Sequence, residues 1–123
     1  MATLTEGRHA GGFLVWEASR DYTRETVTLA SGAGKLDPGT VLGKITTGGK
    51  FTQLTPAASN GSQNAAGILW GPTDATAADA SAVVVLRGPV IVNRSDLVWP
   101  TDATEPQIAA ATAALTALGI LLR

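Results

Sequence analysis

The chain has no cysteine, one histidine, one tyrosine and little charge, and each shortage removes a class of chemistry. Without cysteine there are no disulfides, no thiolate nucleophile and no Cys-ligated zinc. Charged residues make up 15% of the 123 residues, and their formal sum is −1. A dense cationic face would attract nucleic acid or an anionic membrane, and this composition supplies none. No stretch approaches the roughly 20 apolar residues that a membrane-spanning helix needs. The start of the chain shows no basic segment followed by an apolar run, so no secretory leader is expected. The expectation is a protein made and kept in a cytoplasm, or assembled there into something larger.

What is present points to a small β-rich domain. The chain is 45% hydrophobic but only 5% aromatic, so its apolar content comes from Ala, Val, Leu and Ile. Gly (14) and Pro (6) accompany frequent Thr and Ser, as in short strands joined by tight turns. A chain of this length holds one domain and buries roughly two-thirds of its unfolded surface, enough to fold alone. The fold class expected is α+β: a single β-rich domain with short strands, one C-terminal helix and an extended N-terminal arm.

Residues 1–25 differ in character from the rest. They concentrate Glu6, Arg8, His9, Glu17, Arg20, Asp21, Arg24 and Glu25 around one apolar group, Phe13-Leu14-Val15-Trp16, which follows Gly11-Gly12. This reads as a solvated arm carrying a sticky patch; the alternative is an ordinary first strand folded back on the domain. Residues 26–123 form the head.

From Thr26 the pattern turns to strands. Thr26-Val27-Thr28-Leu29 alternates polar and apolar residues, as a half-buried strand does. Ser31 to Gly34 and Asp37-Pro38-Gly39 are turns. Thr40–Ile45 and Lys50–Leu54, linked through Gly48-Gly49, form a hairpin. A polar loop over residues 55–64 turns at Asn60-Gly61, and Ala65–Trp70 is a short buried strand. Thr73–Ala80 reads as a loop or one weak helical turn. Ser81–Arg87 is expected as a central strand buried on both faces, with Val90–Asn93 as its partner after Gly88-Pro89.

The period then changes. Ile108, Ala111, Leu115 and Leu118 make one helical stripe, with Ala between them. Thr104 and Gln107 are spaced for a capping box, Pro106 suits the first turn and Gly119 suits the cap after the last. The prediction is a helix over 105–118, followed by a last strand at residues 120–123.

Catalytic constellations are missing. His9, the sole histidine, falls in the arm, where a solvated side chain explains it better than a triad or metal site. Gly34-Lys35 lacks the phosphate-loop pattern, because Leu29 and Leu36 stand where Gly and Ser or Thr are required. Asp74, Asp79, Asp96 and Asp102 sit beside turn residues and read as local caps. No enzymatic activity, cofactor or metal is expected. Trp16 is the tryptophan most expected to be exposed on a monomer. Trp70 and Trp99 read first as core; the alternative places them, with Pro100, at an interface between copies.

These segments together resemble the lambda-type head-decoration proteins of tailed phages. The similarity runs over roughly residues 13–123. It is carried by Phe13 to Glu17, Ser19 through Gly32, Leu36 to Lys44, Ala66 to Leu69, Leu86 to Pro89, Asp96 to Pro100, and the Ala-rich helix leading into Leu118-Gly119-Ile120. The resemblance implies a homotrimer on three-fold sites of the expanded capsid, bracing the shell against packaged DNA from the outer surface of the virion. It also implies an N-terminal arm bound to the major capsid protein, which falls here on residues 1–25 with Phe13, Leu14, Val15 and Trp16 as anchors. Synthesis would be in the host bacterial cytoplasm, with no nucleic-acid or membrane partner. The charged, Trp-bearing arm departs from the Thr-, Ser- and Pro-rich arm of the best-known member. A carbohydrate- or receptor-binding β-module is the other function class; it would need Phe51, Trp70 and Trp99 exposed together.

Overall fold

The computed structural model describes residues 9–123. Its strands are β1 (Leu14–Glu17), β2 (Arg24–Leu29), β3 (Gly34–Leu36), β4 (Val41–Lys44), β5 (Phe51–Gln53), β6 (Ala65–Leu69), β7 (Thr73–Ala75), β8 (Ala80–Val85), β9 (Val90–Val92) and β10 (Ile120–Leu122). A one-turn helix, α1 (Arg20–Thr23), precedes β2, and the long helix α2 (Glu105–Ala117) precedes β10. The β-rich single domain with a C-terminal helix is therefore the observed fold class.

Strands β2, β5, β4, β6 and β8 close into a small barrel. The hairpin at Gly48-Gly49 is present, with β4 antiparallel to β5 and Lys44 opposite Phe51. Period-two alternation makes the barrel wall feed two cores. Val41, Ile68 and Val85 join one apolar cluster, while their neighbours Leu42, Leu69 and Val84 join another. Successive side chains leave opposite faces of a strand, so the two clusters lie on opposite sides of the wall. Burial on both faces, expected for the whole of β8, therefore holds only at Val84 and Val85; Ser81 and Val83 are exposed.

The first of these clusters, that of Val41, Ile68 and Val85, draws on the rest of the chain. Phe13, Val90, Val92, Leu115, Ile120 and Leu122 pack there against the barrel wall. Four of these come from β9 and β10, which with β1 form a separate sheet in the order β1-β9-β10. Strand β9 is thus not the partner of β8: β2 and β6 occupy both edges of β8, and β9 pairs with β1 and β10 instead. The expected loop at 73–80 contains β7, which pairs antiparallel with β3. Its three residues, Thr-Asp-Ala, carry no strand signature; the ladder to β3 sets their conformation.

Helix α2 forms as its sequence requires. The Thr104 hydroxyl accepts from the Gln107 N–H at 3.4 Å, and the Gln107 side chain accepts from the Thr104 N–H at 2.9 Å. This closes the capping box and satisfies two otherwise orphaned groups. Ala111 and Leu115 are the fully buried part of the stripe; Ile108 is half-buried and Leu118 exposed. Gly119 has φ of +89°, a conformation that L side chains rarely adopt, and it reverses the chain into β10. Strand β10 then lies parallel to β9, Leu121 beside Ile91.

Candidate functional site

The segment Phe13-Leu14-Val15-Trp16 is folded onto the domain, and a single irregularity in its pairing sorts the four side chains. Strand β1 runs antiparallel to β9, with Leu14 opposite Val92, Trp16 opposite Ile91 and Glu17 opposite Val90. Two residues, Val15 and Trp16, are spent against one position of β9, which is a β-bulge. Without the extra residue, Leu14 and Glu17 would face opposite sides; with it, both face inward and are half-buried. Val15 and Trp16 both turn outward, 57% and 51% exposed. Phe13 is a core residue at 2% exposure. Burying a side chain of that size contributes about 2–3 kcal/mol, which is why the aromatic leads the strand inward.

Much of the described part of this segment is thus folded onto the domain, the alternative that its sequence left open. Residues 1–8 of the arm lie outside the described residues. From Phe13 onward the segment is strand β1, helix α1 and the start of β2. Part of the charge concentrated in this segment, which suggested a solvated arm, makes local contacts instead. Arg24 donates to Glu17, its Nε lying 3.2 Å from Oε2 and a second nitrogen bonding Oε1. The buried Thr23 hydroxyl donates to the same carboxylate at 2.7 Å. Both members of the Arg24–Glu17 pair are largely sheltered from solvent, where charge-assisted hydrogen bonds are strongest.

Trp70 anchors the approach to β1. Its ring meets Phe13 edge-on, with centroids 5.9 Å apart. The Arg24 guanidinium lies over its face, 3.4 Å from the centroid. The Gly11 N–H donates to the Trp70 carbonyl at 2.9 Å. Gly11 has φ of +67°, and a Cβ built there would overlap the indole, so the chain passes close over the ring only because glycine stands there. Trp70 is half-buried by this packing. Trp99 is half-buried against the same core cluster, and Pro100 lines a shallow cleft with Gln53, Leu54, Pro56 and Asp102. Phe51 is 4% exposed, so Phe51, Trp70 and Trp99 present no aromatic platform.

Of the aspartates expected as local caps, Asp74 bonds within its own turn, whereas Asp79 is held by residues distant in sequence. Asp74 accepts from the Thr76 hydroxyl at 2.6 Å and from its N–H at 3.0 Å, and these bonds hold its pKa below the ordinary value. Asp79 pairs with Lys50 at 2.6 Å and accepts from the Ser31 N–H at 2.8 Å; the pKa is lowered, Lys50 having the larger effect. Among the described residues no group of three or more His, Asp or Glu side chains is placed to hold a metal ion. No helix among them is long and apolar enough to cross a membrane.

The surface that stands out is therefore apolar. Across the outer face of the β1-β9-β10 sheet, register places Trp16 beside Ile91 and Ile91 beside Leu121. Leu121 is 47% exposed. Nothing in the sequence singles out Ile91 or Leu121, since each sits inside an unbroken apolar triplet, Val-Ile-Val or Ile-Leu-Leu. Only the strand parity reveals that the middle residue of each faces outward.

Comparison with known families gives one match. The sequence model of the family described as bacteriophage lambda head decoration protein D matches residues 3–120. No curated protein matches the chain.

Proposed function

The chain belongs to the bacteriophage lambda head decoration protein D family, and from that membership we propose that it binds as homotrimers at three-fold sites on the outside of an expanded phage head and braces the shell against packaged DNA. The family is one of structural proteins of the phage head, and the capsid is the location it implies. The observation that carries the reading is the match itself, which spans residues 3–120 and so takes in the barrel, the β3–β7 pair, strands β1 and β9, and helix α2.

In this reading the major capsid protein is the partner of the N-terminal segment, residues 1–25. Strand β1 lies at an edge of its sheet, paired on one side only. An extended segment of the capsid protein can add there through main-chain hydrogen bonds. Val15 and Trp16 then serve as side-chain anchors, while Phe13 and Leu14 hold the strand in place from behind. Three such contacts per trimer bind with avidity, so each one alone needs only modest strength. Trp70, Trp99 and Pro100, half-buried but not fully covered, are the proposed contacts between copies. The protein acts without catalysis, cofactor, nucleic acid or membrane, and is made in the host bacterial cytoplasm before docking on the virion. A carbohydrate-binding module finds no support in the buried Phe51.

The test is co-sedimentation with expanded, undecorated capsids of the same phage, combined with sedimentation velocity of the free protein. Saturable pelleting at three copies per three-fold site is the expected result. Full-length protein that stays in the supernatant over expanded shells would overturn the reading.

A further inference from the structure

We infer that Val15, Trp16, Ile91 and Leu121 form one docking face for an extended strand of the capsid protein laid alongside β1, so that the C-terminal strand shares in binding. The inference rests on the decoration reading and assigns a surface to it.

Register comes first. Residues paired across neighbouring strands project to the same face, so Trp16, Ile91 and Leu121 form a continuous row across all three strands. The bulge adds Val15 to that face. On the opposite face the corresponding rows, Leu14-Val92-Leu122 and Glu17-Val90-Ile120, point to the core, and four of their members are buried. The sheet is apolar on both faces although only one of them meets the core.

No charged residue belongs to the outward row, and the charge next to it, Glu17, is turned inward and held by Arg24. The exposed Tyr22 differs: the Arg87 guanidinium lies 5.4 Å from its ring centroid. Among the described residues no cation or ring stacks on Trp16. An uncharged, uncovered Trp flanked by aliphatic residues is the composition of an interface hot spot.

Size decides the occupant. The exposed Val15, Trp16 and Leu121, with the half-buried Ile91 between the strands, offer on the order of 300 Å² of apolar surface. A stable self-association interface needs about 800 Å² per partner, so this face cannot by itself hold two copies together. It suits a contact repeated three times around a trimer, where effective concentration makes up for weak single sites. The free edge of β1 adjoins the row directly. A strand added there places one of its side chains beside Trp16 and extends the row, so it must carry an apolar residue at that position.

The experiment compares shell binding by the unaltered protein, Trp16→Thr, Leu121→Thr and a control, Val83→Thr, an exposed residue of β8 on the barrel. Threonine keeps strand propensity at all three sites, and thermal unfolding verifies that each variant is folded. Trp16→Thr and Leu121→Thr are each expected to weaken shell binding by about tenfold or more, with Val83→Thr unchanged and the mass of the free protein unaltered. If Leu121→Thr binds as tightly as the unaltered protein, the docking face does not extend to β10 and the inference fails while decoration stands. A change in oligomer mass in Trp16→Thr or Leu121→Thr would overturn it in favour of a contact between copies. If the unaltered protein itself fails to bind, the decoration reading falls and takes the inference with it.

Discussion

The guanidinium carbon of Arg24 lies 3.4 Å from the centroid of the Trp70 ring while its nitrogens hold the carboxylate of Glu17. One side chain thus ties β1, in the three-stranded sheet, to the residue that follows β6 in the barrel. Cation–π attraction adds about 0.5–2 kcal/mol to a desolvated pair, and hydrogen bonds to a charged group add about 1.5–3 kcal/mol.

Arg24→Ala is therefore expected to lower stability by about 2–4 kcal/mol, measured by urea denaturation. Arg24→Lys should recover less than half, because an ammonium cannot stack on the ring and bridge both carboxylate oxygens together. A cycle with Glu17→Gln should show non-additive losses, since the two residues share one network.

Truncation separates the first eight residues from the rest of the N-terminal segment. A chain lacking residues 1–8 keeps every described element and should retain its cooperative melting transition. A chain lacking residues 1–25 loses Phe13, β1 and the Arg24 bridge, and should melt at a much lower temperature or fail to fold. Calorimetry on both distinguishes them, and only the shorter deletion is a fair probe of shell binding.

How much of this was legible in the sequence follows the range of the interactions. Helix α2 was legible because its determinants are local: Thr104 and Gln107 cap its start, Ala and Leu set its stripe, and Gly119 ends it. The β4–β5 hairpin was legible for the same reason, through Gly48-Gly49. The partners of β8 and β9 were not, because β9 pairs with strands far away in sequence at both ends of the domain. The inward turn of Phe13 was hidden too. Four consecutive apolar residues carry no period, and the bulge that sorts them depends on the ladder with β9. Of the candidate face, the exposure of Trp16 was legible, but nothing set Val15 apart from Phe13 and Leu14, and Ile91 and Leu121 join them only in three dimensions.

Thr104→Ala should destabilise the domain by about 1 kcal/mol, the usual cost of losing a helix N-cap side chain. Gln107→Ala should cost less, because the Thr104 hydroxyl bond survives. Hydrogen exchange at the first turn of α2 checks the local origin of the loss.

Gly119→Ala should cost about 1 kcal/mol or more, since alanine is strained at a φ of +89°. The added methyl would also press on Gly88, 3.1 Å away. Docking of β10 should loosen most, which the amide protection of Ile120–Leu122 would report.

Asp79→Asn tests the Lys50 and Ser31 contacts through pH. Both favour the ionised carboxylate and lower its pKa on folding. The stabilisation they provide is complete above the unfolded value of about 3.9 and disappears as pH falls through the lower folded value. The melting gap between the unaltered protein and Asp79→Asn should be present at neutral pH and close on strong acidification. Asp74, lowered by its bonds to Thr76, should show the same sign.

The three-stranded sheet also sets an order of events. Its middle strand β9 follows β1 by about 75 residues and is joined by β10 only about 30 residues later. During synthesis Trp16 emerges long before Ile91, and Leu121 emerges later still. The outward apolar row consequently has no existence on a nascent chain; it comes into being when β10 closes the sheet. A ribosome-bound intermediate would carry an isolated Trp16 but no assembled face, so competence to dock would be a property of the finished fold.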